Sequence, residues 1–368
     1  MKWLFIEAND VWMFRESRPF AAGQAFIARS VFPPYPQTMA GAIRTNILEQ
    51  AGVSFEDYRR RRVNPALLAA VGAPANENQA AEIGSFRLLG PFLASRTGSS
   101  VKRFVRPPLD LMKRESDGHM QLGIATPAPQ VGFETNLPFE NWRPLNAPSK
   151  DRGWKEVDGW LDEDGLSAYL KGKAPSKVTD SPELFLTEEK IGLGIDYNVR
   201  TAKESLLYHA EFVRPLHTEN QESGLVVGID DQSFRLLPPN VLMLGGEGRS
   251  AYYEAITVPA SIPDPKPGKI KVILTTPAFF EHGWQPNTWS HWLGHNASLI
   301  SAAVGKAITI SGWDLAQGSP KPMRAFVPAG SVYYFENATP CVQPFTQTPE
   351  GEPDFGALGF GGFVQTNW

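Results

Sequence analysis

Short apolar runs alternate with polar loops along most of the chain, which is the pattern of strands joined by turns. Lys2 to Ala8 is the first such run. From Met39 to Gln50 the apolar positions instead recur at helical spacing, with Thr38 available as the cap and Arg44 on a neighbouring face. A strand, a long proline-rich loop and a helix in this order predict the first half of a β-α-β unit.

The second half of the chain repeats this mixture. The pattern predicts a strand over 206–213, a partner strand over 224–230 and a short apolar helix over 238–244. Further strands are predicted over 252–258, 269–276 and 306–312, with a helix within 287–303. The order is compatible with β-α-β-β-α-β in each half, which predicts an α+β protein with two ferredoxin-like (RRM-like) domains in tandem.

The predicted domain boundary lies near Ser205, giving domains 1–204 and 205–368. Residues 113–182 are rich in Pro, Trp, Asp and Lys, carry a short helical patch over 159–171, and read as an insertion in the first domain. A chain of 368 residues exceeds the size at which one core keeps growing, which favours two domains.

Composition narrows the protein class. Hydrophobic residues make up 42% and charged residues 20% of the chain, as in packed globular proteins. The net charge of −4 excludes a uniformly basic nucleic-acid binder but leaves room for a local basic face. One cysteine and the absence of a signal-like or membrane-length apolar run predict a soluble, cytoplasmic protein.

Two glycine-rich stretches stand out, Leu244 to Tyr253 and Gly356 to Val364. Three glycines just before Arg249 predict a turn that approaches another backbone, and we expect this to be a phosphate backbone. Neither stretch matches a nucleotide-binding fingerprint, and tight turns are the ordinary alternative.

Basic residues also cluster at 59–62 and between Arg96 and Arg106, where they interleave with aromatic residues. Cations beside aromatics suit single-stranded nucleic acid, because phosphates pair and bases stack. A solvated helix face or an ordinary hairpin accounts for the same pattern.

The sequence offers no convincing catalytic or metal set. His291 and His295 are four apart but lack the intervening glutamate of a zinc-protease helix, and Cys341 has no partner cysteine. We expect no metal and no cofactor. A ribonuclease would need only a histidine base, for which His209 and His119 are available.

Several stretches, in order along nearly the whole chain, resemble the third-subunit family of the Cmr effector complex, the type III-B CRISPR machinery, within the RAMP superfamily. They are Phe14–Phe20 (FRESRPF), Phe32–Arg44 (FPPYPQTMAGAIR), Gly192–Asp196 with Leu207–Tyr208, Leu244–Arg249 (LGGEGR), Gly312–Asp314, Val327–Tyr333 and the C-terminal glycine run.

This resemblance implies two ferredoxin-like domains, a glycine-rich loop and a non-catalytic role in antiviral defence. It implies that the chain grips the 5′ tag of CRISPR RNA and bridges the Cas10-type large subunit to the backbone RAMP subunit, contacting target RNA only indirectly. The residues expected at RNA are the cations Arg15, Arg18, Arg44, Arg200, Lys203 and Arg249, with the loop glycines Gly245, Gly246, Gly248, Gly359, Gly361 and Gly362.

Two other functions stay open at this point. One is a RAMP-type, metal-independent endoribonuclease that cuts CRISPR repeat RNA, with His209 as its candidate base. The other is a scaffold that contacts only proteins.

Overall fold

The computed structural model describes residues 1–17, 27–74, 81–116, 118–129, 141–196, 201–230, 240–258, 264–314 and 318–368, with the side chains of 27, 193–196 and 202–208 left aside. Within these ranges no helix is both long and apolar enough to cross a membrane.

The helices are short. They are α1 (Pro36–Gln50), α2 (Phe55–Arg59), α3 (Pro65–Val71), α4 (Glu163–Leu170), α5 (Ser290–Leu293) and α6 (Phe355–Leu358), with a 3-10 turn at Ser181–Glu183.

Strands dominate the described chain. They are β1 (Lys2–Ala8), β2 (Ile27–Ala28), β3 (Arg87–Thr97), β4 (Ser100–Val105), β5 (Leu111–Ser116), β6 (His119–Ile124), β7 (Thr126–Pro127), β8 (Leu145–Asn146), β9 (Lys155–Glu156), β10 (Leu161–Asp162), β11 (Phe185–Asp196), β12 (Thr201–Pro215), β13 (Glu222–Asp230), β14 (Val241–Met243), β15 (Ser250–Ile256), β16 (Gly268–Leu274), β17 (Ser298–Ala303), β18 (Ile308–Ile310), β19 (Trp313–Asp314), β20 (Ser319–Pro320), β21 (Arg324–Phe326), β22 (Val332–Ala338) and β23 (Phe363–Asn367). The protein is α+β with mostly antiparallel sheets, as the sequence predicts.

Two compact units share the chain, and each takes three separate stretches. The first holds 1–101, 181–256 and 309–324, and the second holds 102–180, 257–308 and 325–368. The predicted boundary near Ser205 falls inside β12. Because β1 pairs with β13 and β15, the first unit extends past that boundary. The assignment of two ferredoxin-like domains, 1–204 and 205–368, stays a prediction.

An antiparallel sheet with the order β3-β13-β1-β15-β14 forms the core of the first unit. The consecutive apolar residues Leu4, Phe5 and Ile6 of the central strand are all buried. Helix α1 packs against β3 and β14 through its buried Met39 and Ile43. The long β11–β12 hairpin completes the unit, and β2 runs parallel to β12.

The second unit is built on an antiparallel sheet with the order β17-β22-β16-β23. Its core is unusually aromatic: Trp289 stacks on Phe345 at 5.3 Å between ring centroids, and Phe280 packs edge-on to Trp289 and Tyr333. Aromatic faces and edges meet here with little void because these rings interlock. The predicted insertion contributes β5, β6 and α4 to this unit, and the predicted helical patch contains α4.

Several local predictions are wrong. Helix α1 begins at Pro36 with Tyr35 as its cap residue, three residues before Met39, because proline suits the first helical turn. Residues 241–243, predicted as helix, form strand β14, since they pair with β15 at the sheet edge. Strand β13 pairs with β1 and β3 rather than with β12.

Gly192 and Gly194, in one of the stretches that carry the family resemblance, lie inside β11. Between 287 and 303, helix α5 covers only 290–293, and β17 follows it.

Candidate nucleic-acid interface

The glycine-rich turn after β14 is held against the N-terminal loop. Gly246 N–H donates to the Met13 carbonyl at 2.8 Å, and Leu244 N–H donates to the Arg249 carbonyl at 2.9 Å. Gly245 has φ +99°, and a Cβ there would lie 3.1 Å from the Met13 carbonyl oxygen, so the close approach requires glycine. The turn is thereby a rigid support for Arg249.

Gly248 plays a different part. Its φ is +66°, no atom lies within 4 Å of a Cβ built on it, and Gly246 and Gly248 are exposed. The outer backbone of the turn is therefore open to a ligand, whereas the inner backbone is docked on Met13.

Arg249 lies over the N-terminal loop. One of its terminal nitrogens is 3.2 Å from Asp10 Oδ2, and its guanidinium carbon is 5.0 Å from the centre of the Phe212 ring. Its Nε–H is buried and finds no acceptor among the described residues. The side chain of Arg249 is 26% exposed to solvent.

A second arginine converges on the same carboxylate. Arg214 of β12 donates to Asp10 Oδ1 at 3.0 Å and forms a two-pronged pair with Glu188 across the β11–β12 hairpin. These bonds raise the pKa of Arg214. The bond from Arg214 is also the main cause that lowers the pKa of Glu188.

Lys190 adds a third cation, with its ammonium 4.7 Å from the centre of the Phe212 ring. We call this group the Arg249 cluster: Asp10, Glu188, Lys190, Phe212, Arg214 and Arg249. It carries three cations against two carboxylates, and it rests on the small apolar core of Val11, Met13, Ala28, Ala210 and Phe212.

The other predicted cations are placed differently. Arg15 is exposed on the N-terminal loop, where it forms a β-bridge with Ser30. Arg44 on α1 donates to the Tyr58 hydroxyl at 3.1 Å and to the Glu82 carbonyl at 3.3 Å, contacts that brace α1 against neighbouring segments. Arg18, Arg200 and the Lys203 side chain lie outside the described residues.

The C-terminal glycines belong to the second unit and are buried. Gly361 N–H donates to the Pro277 carbonyl, and its own carbonyl accepts from Phe345. A Cβ at Gly362 would lie 2.9 Å from the Thr276 hydroxyl, and Gly359 ends α6 with φ +102°. This geometry favours packing for Gly359, Gly361 and Gly362, and their contact with RNA stays a prediction.

The basic stretch from Arg96 to Arg106 is mostly neutralised by neighbours. Arg96 pairs with Glu7, Glu222 and Glu254 in the first unit. In the second unit Lys102 and Arg103 pair with carboxylates at 162–164, and Arg106 covers the Trp160 ring at 3.9 Å. Arg96 lies on strand β3 and Lys102 and Arg103 lie on β4, and the carboxylates that pair with these cations all belong to other elements.

Among the described residues the one set of three groups spaced for a metal is Glu7, His217 and Glu222. Arg96 donates to Glu222 and forms an ion pair with Glu7 at 3.6 Å, so it supplies the compensating charge itself. His291 and His295 are exposed, and the His291 ring packs on Trp292 at 5.1 Å. His209 faces Glu189 across the hairpin, with Nδ1 3.8 Å from its carboxylate.

Sequence reasoning missed Asp10, Glu188, Lys190 and Arg214. A separation of more than 170 residues between Asp10 and the hairpin hid the association, and the cross-strand opposition of Glu188 and Phe212 follows only from the register.

The sequence matches a known protein family over nearly its entire length. The family described as CRISPR-associated protein (Cas_Cmr3) matches residues 4–368. The chain belongs to this Cas_Cmr3 family. It is thus a subunit of the type III-B CRISPR interference complex, and Cas_Cmr3 proteins are generally non-catalytic structural subunits. The resemblance inferred from the sequence is confirmed.

Three solved structures contain chains similar to this one. A chain of a type III-B Cmr-beta complex bound to cognate target RNA and AMPPnP, state 1, is 17% identical, with 90% of this chain and 86% of that chain covered and a TM-score of 0.49. A chain of the same kind of complex bound to cognate target RNA is 16% identical, with the same coverage and TM-score.

A chain of the Csm3-Csm4 subcomplex of the type III-A CRISPR-Cas interference complex is 12% identical, with 95% of this chain and all of that chain covered and a TM-score of 0.42. No curated protein matches the sequence.

Proposed function

We propose that this subunit binds CRISPR RNA through the Arg249 cluster and the exposed face of the Gly246–Gly248 turn. The observation that carries the proposal is Arg249 itself: a part-exposed guanidinium, fixed over Phe212, with a buried Nε–H that lacks an acceptor among the described residues. A phosphate at the exposed part of this side chain would accept from the planar guanidinium, which suits phosphate oxygens better than the single ammonium of lysine.

The charges of the cluster support the same conclusion. Asp10 is the shared acceptor of Arg214 and Arg249, and 49% of its side chain is accessible, so water screens it. Exposed ion pairs of this kind contribute about 0–1 kcal/mol. A phosphate can therefore replace Asp10 as the partner of Arg249 at little cost in stability.

We propose further that the bound segment is the 5′ tag of CRISPR RNA, with Arg15, Arg18, Arg200 and Lys203 as additional contacts. The subunit then bridges the Cas10-type large subunit to the backbone RAMP subunit without catalysing a reaction itself, in the cytoplasm. This role and a pair of ferredoxin-like domains rest on family membership and on the resemblance of the quoted stretches.

The test is a salt titration of RNA binding by the complex that contains the wild-type chain, Arg249→Ala or Arg249→Lys. Loss of one phosphate contact to single-stranded RNA lowers the slope of log affinity against log salt by about 0.7. We expect this loss of slope with Arg249→Ala; Arg249→Lys should restore the slope, because it keeps the charge, but only part of the affinity.

Arg60→Ala is the matched control, because Arg60 is exposed and pairs only one turn away with Glu56 on α2. Its slope should equal that of the wild type. Equal slopes for Arg249→Ala and Arg60→Ala would rule out a phosphate contact at Arg249.

A further inference from the structure

The second unit contains a cavity of about 660 Å³ that is open to solvent and that the proposed RNA contact does not use. Its walls come from β6, from the segment that follows α4, and from β23. Small-molecule sites span about 300–1,000 Å³, so the volume suits a ligand of nucleoside size. Four aromatic side chains line it: Trp154, Tyr169, Tyr334 and Trp368.

Three lining residues, Tyr169, Lys271 and Tyr334, are tied to a buried carboxylate behind the cavity wall. Asp110, which is fully buried, accepts from the Tyr169 hydroxyl at 2.5 Å, from the Tyr334 hydroxyl, and from the Lys271 ammonium at 3.2 Å. Burial lowers the pKa of Lys271, and Asp110 opposes that shift. Buried ion pairs are weak sources of stability, and a buried charged cluster at a cavity marks a candidate binding site.

Two hydrogen-bond donors of the lining await an acceptor. The Lys271 ammonium has three N–H groups, and Asp110 is the one acceptor that the described chain gives it. The Lys271 Nζ lies 4.1 Å from the centre of the Tyr169 ring and 5.4 Å from that of Tyr334, and these rings offer π faces instead of lone pairs. Arg114 Nε–H is likewise buried without an acceptor among the described residues. A ligand for this cavity should therefore carry carbonyl oxygens.

The cations at the cavity each have a carboxylate partner, so the charges here do not favour a strongly anionic ligand over a neutral one. Asp110 compensates Lys271, and Asp151 lies 2.8 Å from Arg114. With each cation already paired, a phosphate would gain little. A flat, neutral ring system suits the four aromatic side chains, because aromatic rings associate by stacking or edge contact.

We propose that this cavity binds one nucleobase that carries an exocyclic carbonyl oxygen, with the ring among the aromatic side chains and the oxygen accepting from Lys271. The ring can belong to a free nucleoside or to an unpaired base of an RNA. The inference rests on the lining alone and stands or falls independently of the Arg249 cluster.

The test compares inosine with adenosine by calorimetric titration of the full chain. At position 6 inosine presents a carbonyl oxygen where adenosine presents an amino group, which cannot accept from an ammonium; N1 changes from an acceptor in adenosine to a donor in inosine. We expect inosine to bind at least fivefold more tightly, and ribose without a base not to bind. Equal affinities for the two nucleosides would overturn the proposal.

Two variants locate the site without disturbing the core. Ala174 is exposed and lines the cavity, so Ala174→Trp should block it and abolish inosine binding. Lys173→Trp places the same bulk on the neighbouring exposed residue, which is not part of the lining, and should leave binding unchanged. Unaltered binding in Ala174→Trp would also overturn the proposal.

The contact itself is tested by the double variant Asp110→Asn with Lys271→Met, which removes the ammonium without leaving a lone buried carboxylate. The preference for inosine over adenosine should vanish. If that variant fails to fold, the tryptophan pair above still decides the proposal.

A hexaribonucleotide with inosine at its centre distinguishes the two sources of the ring. If RNA supplies it, the oligomer binds more tightly than inosine and loses this binding in Ala174→Trp. If the natural ligand is a free nucleoside, the oligomer binds more weakly than inosine, and the cavity assignment is upheld in either case.

Discussion

Replacing Gly361 by alanine should destabilise the second unit far more than the same change at Gly351. Both glycines have similar left-handed backbones, with φ +67° and +77°. At Gly351 no atom lies within 4 Å of an added Cβ. At Gly361 the Cβ would lie 2.6 Å from Thr346 Cβ and 2.8 Å from the Phe345 carbonyl carbon.

The two costs can be separated. A left-handed backbone costs a non-glycine residue about 1–2 kcal/mol, and both variants bear that cost. Forcing an extra methyl into a packed site costs about 1–3 kcal/mol more, and only Gly361→Ala bears it. The free energy of unfolding should therefore fall by about 1–2 kcal/mol in Gly351→Ala and by about 2–5 kcal/mol in Gly361→Ala.

Urea unfolding followed by tryptophan fluorescence measures the difference, because Trp289 and Trp292 lie in the core of the same unit. The slope of the unfolding free energy against urea should be the same in both variants, so that the midpoints report stability. Equal losses in the two variants would refute the argument that the C-terminal glycine run is tightly packed.

Three further outcomes follow from buried or paired side chains. Burial raises the pKa of the Cys341 thiol to about 11, so a thiol reagent at pH 8 should react with it much more slowly in the folded chain than in urea. Arg214 lowers the pKa of Glu188 in the folded chain. The pair therefore stabilises the fold above the unfolded pKa of about 4.3, and this contribution is lost as the pH falls through the lower folded pKa. Arg214→Gln should remove this part of the acid dependence of the unfolding free energy. Lys271→Met alone should cost about 3–5 kcal/mol in urea unfolding because it leaves Asp110 buried without its cation, and Asp110→Asn in the same chain should restore most of that loss.

The local pattern of apolar residues predicted those elements whose secondary structure does not depend on which strands or helices lie beside them. The run Lys2–Ala8 is a strand because its apolar residues are consecutive and β-prone, whichever strands lie beside it. Helix α1 follows from its spacing, but its start depends on proline at the first turn, a preference that the pattern of apolar residues does not carry.

Long-range pairing decided the rest. Val241–Met243 is too short to show a periodic pattern of apolar residues, and it is a strand because it pairs with β15. The Arg249 cluster was half predicted: Arg249 and its glycines are visible as a sequence motif, whereas Asp10 and Arg214 join them through chain pairing at Trp12 and Val213. The cavity of the second unit could not be predicted, because its lining comes from segments more than 200 residues apart.

The most direct test of RNA binding at the Arg249 cluster is crosslinking within the assembled complex. A guide RNA that carries photoreactive uridines along its 5′ tag is bound, irradiated and digested, and the crosslinked peptides of this subunit are mapped. We predict crosslinks to peptides that contain Asp10 to Arg15 and Gly245 to Arg249, strongly reduced in Arg249→Ala and unchanged in Arg60→Ala. Tag crosslinks confined to other peptides, with the complex intact, would contradict the assignment.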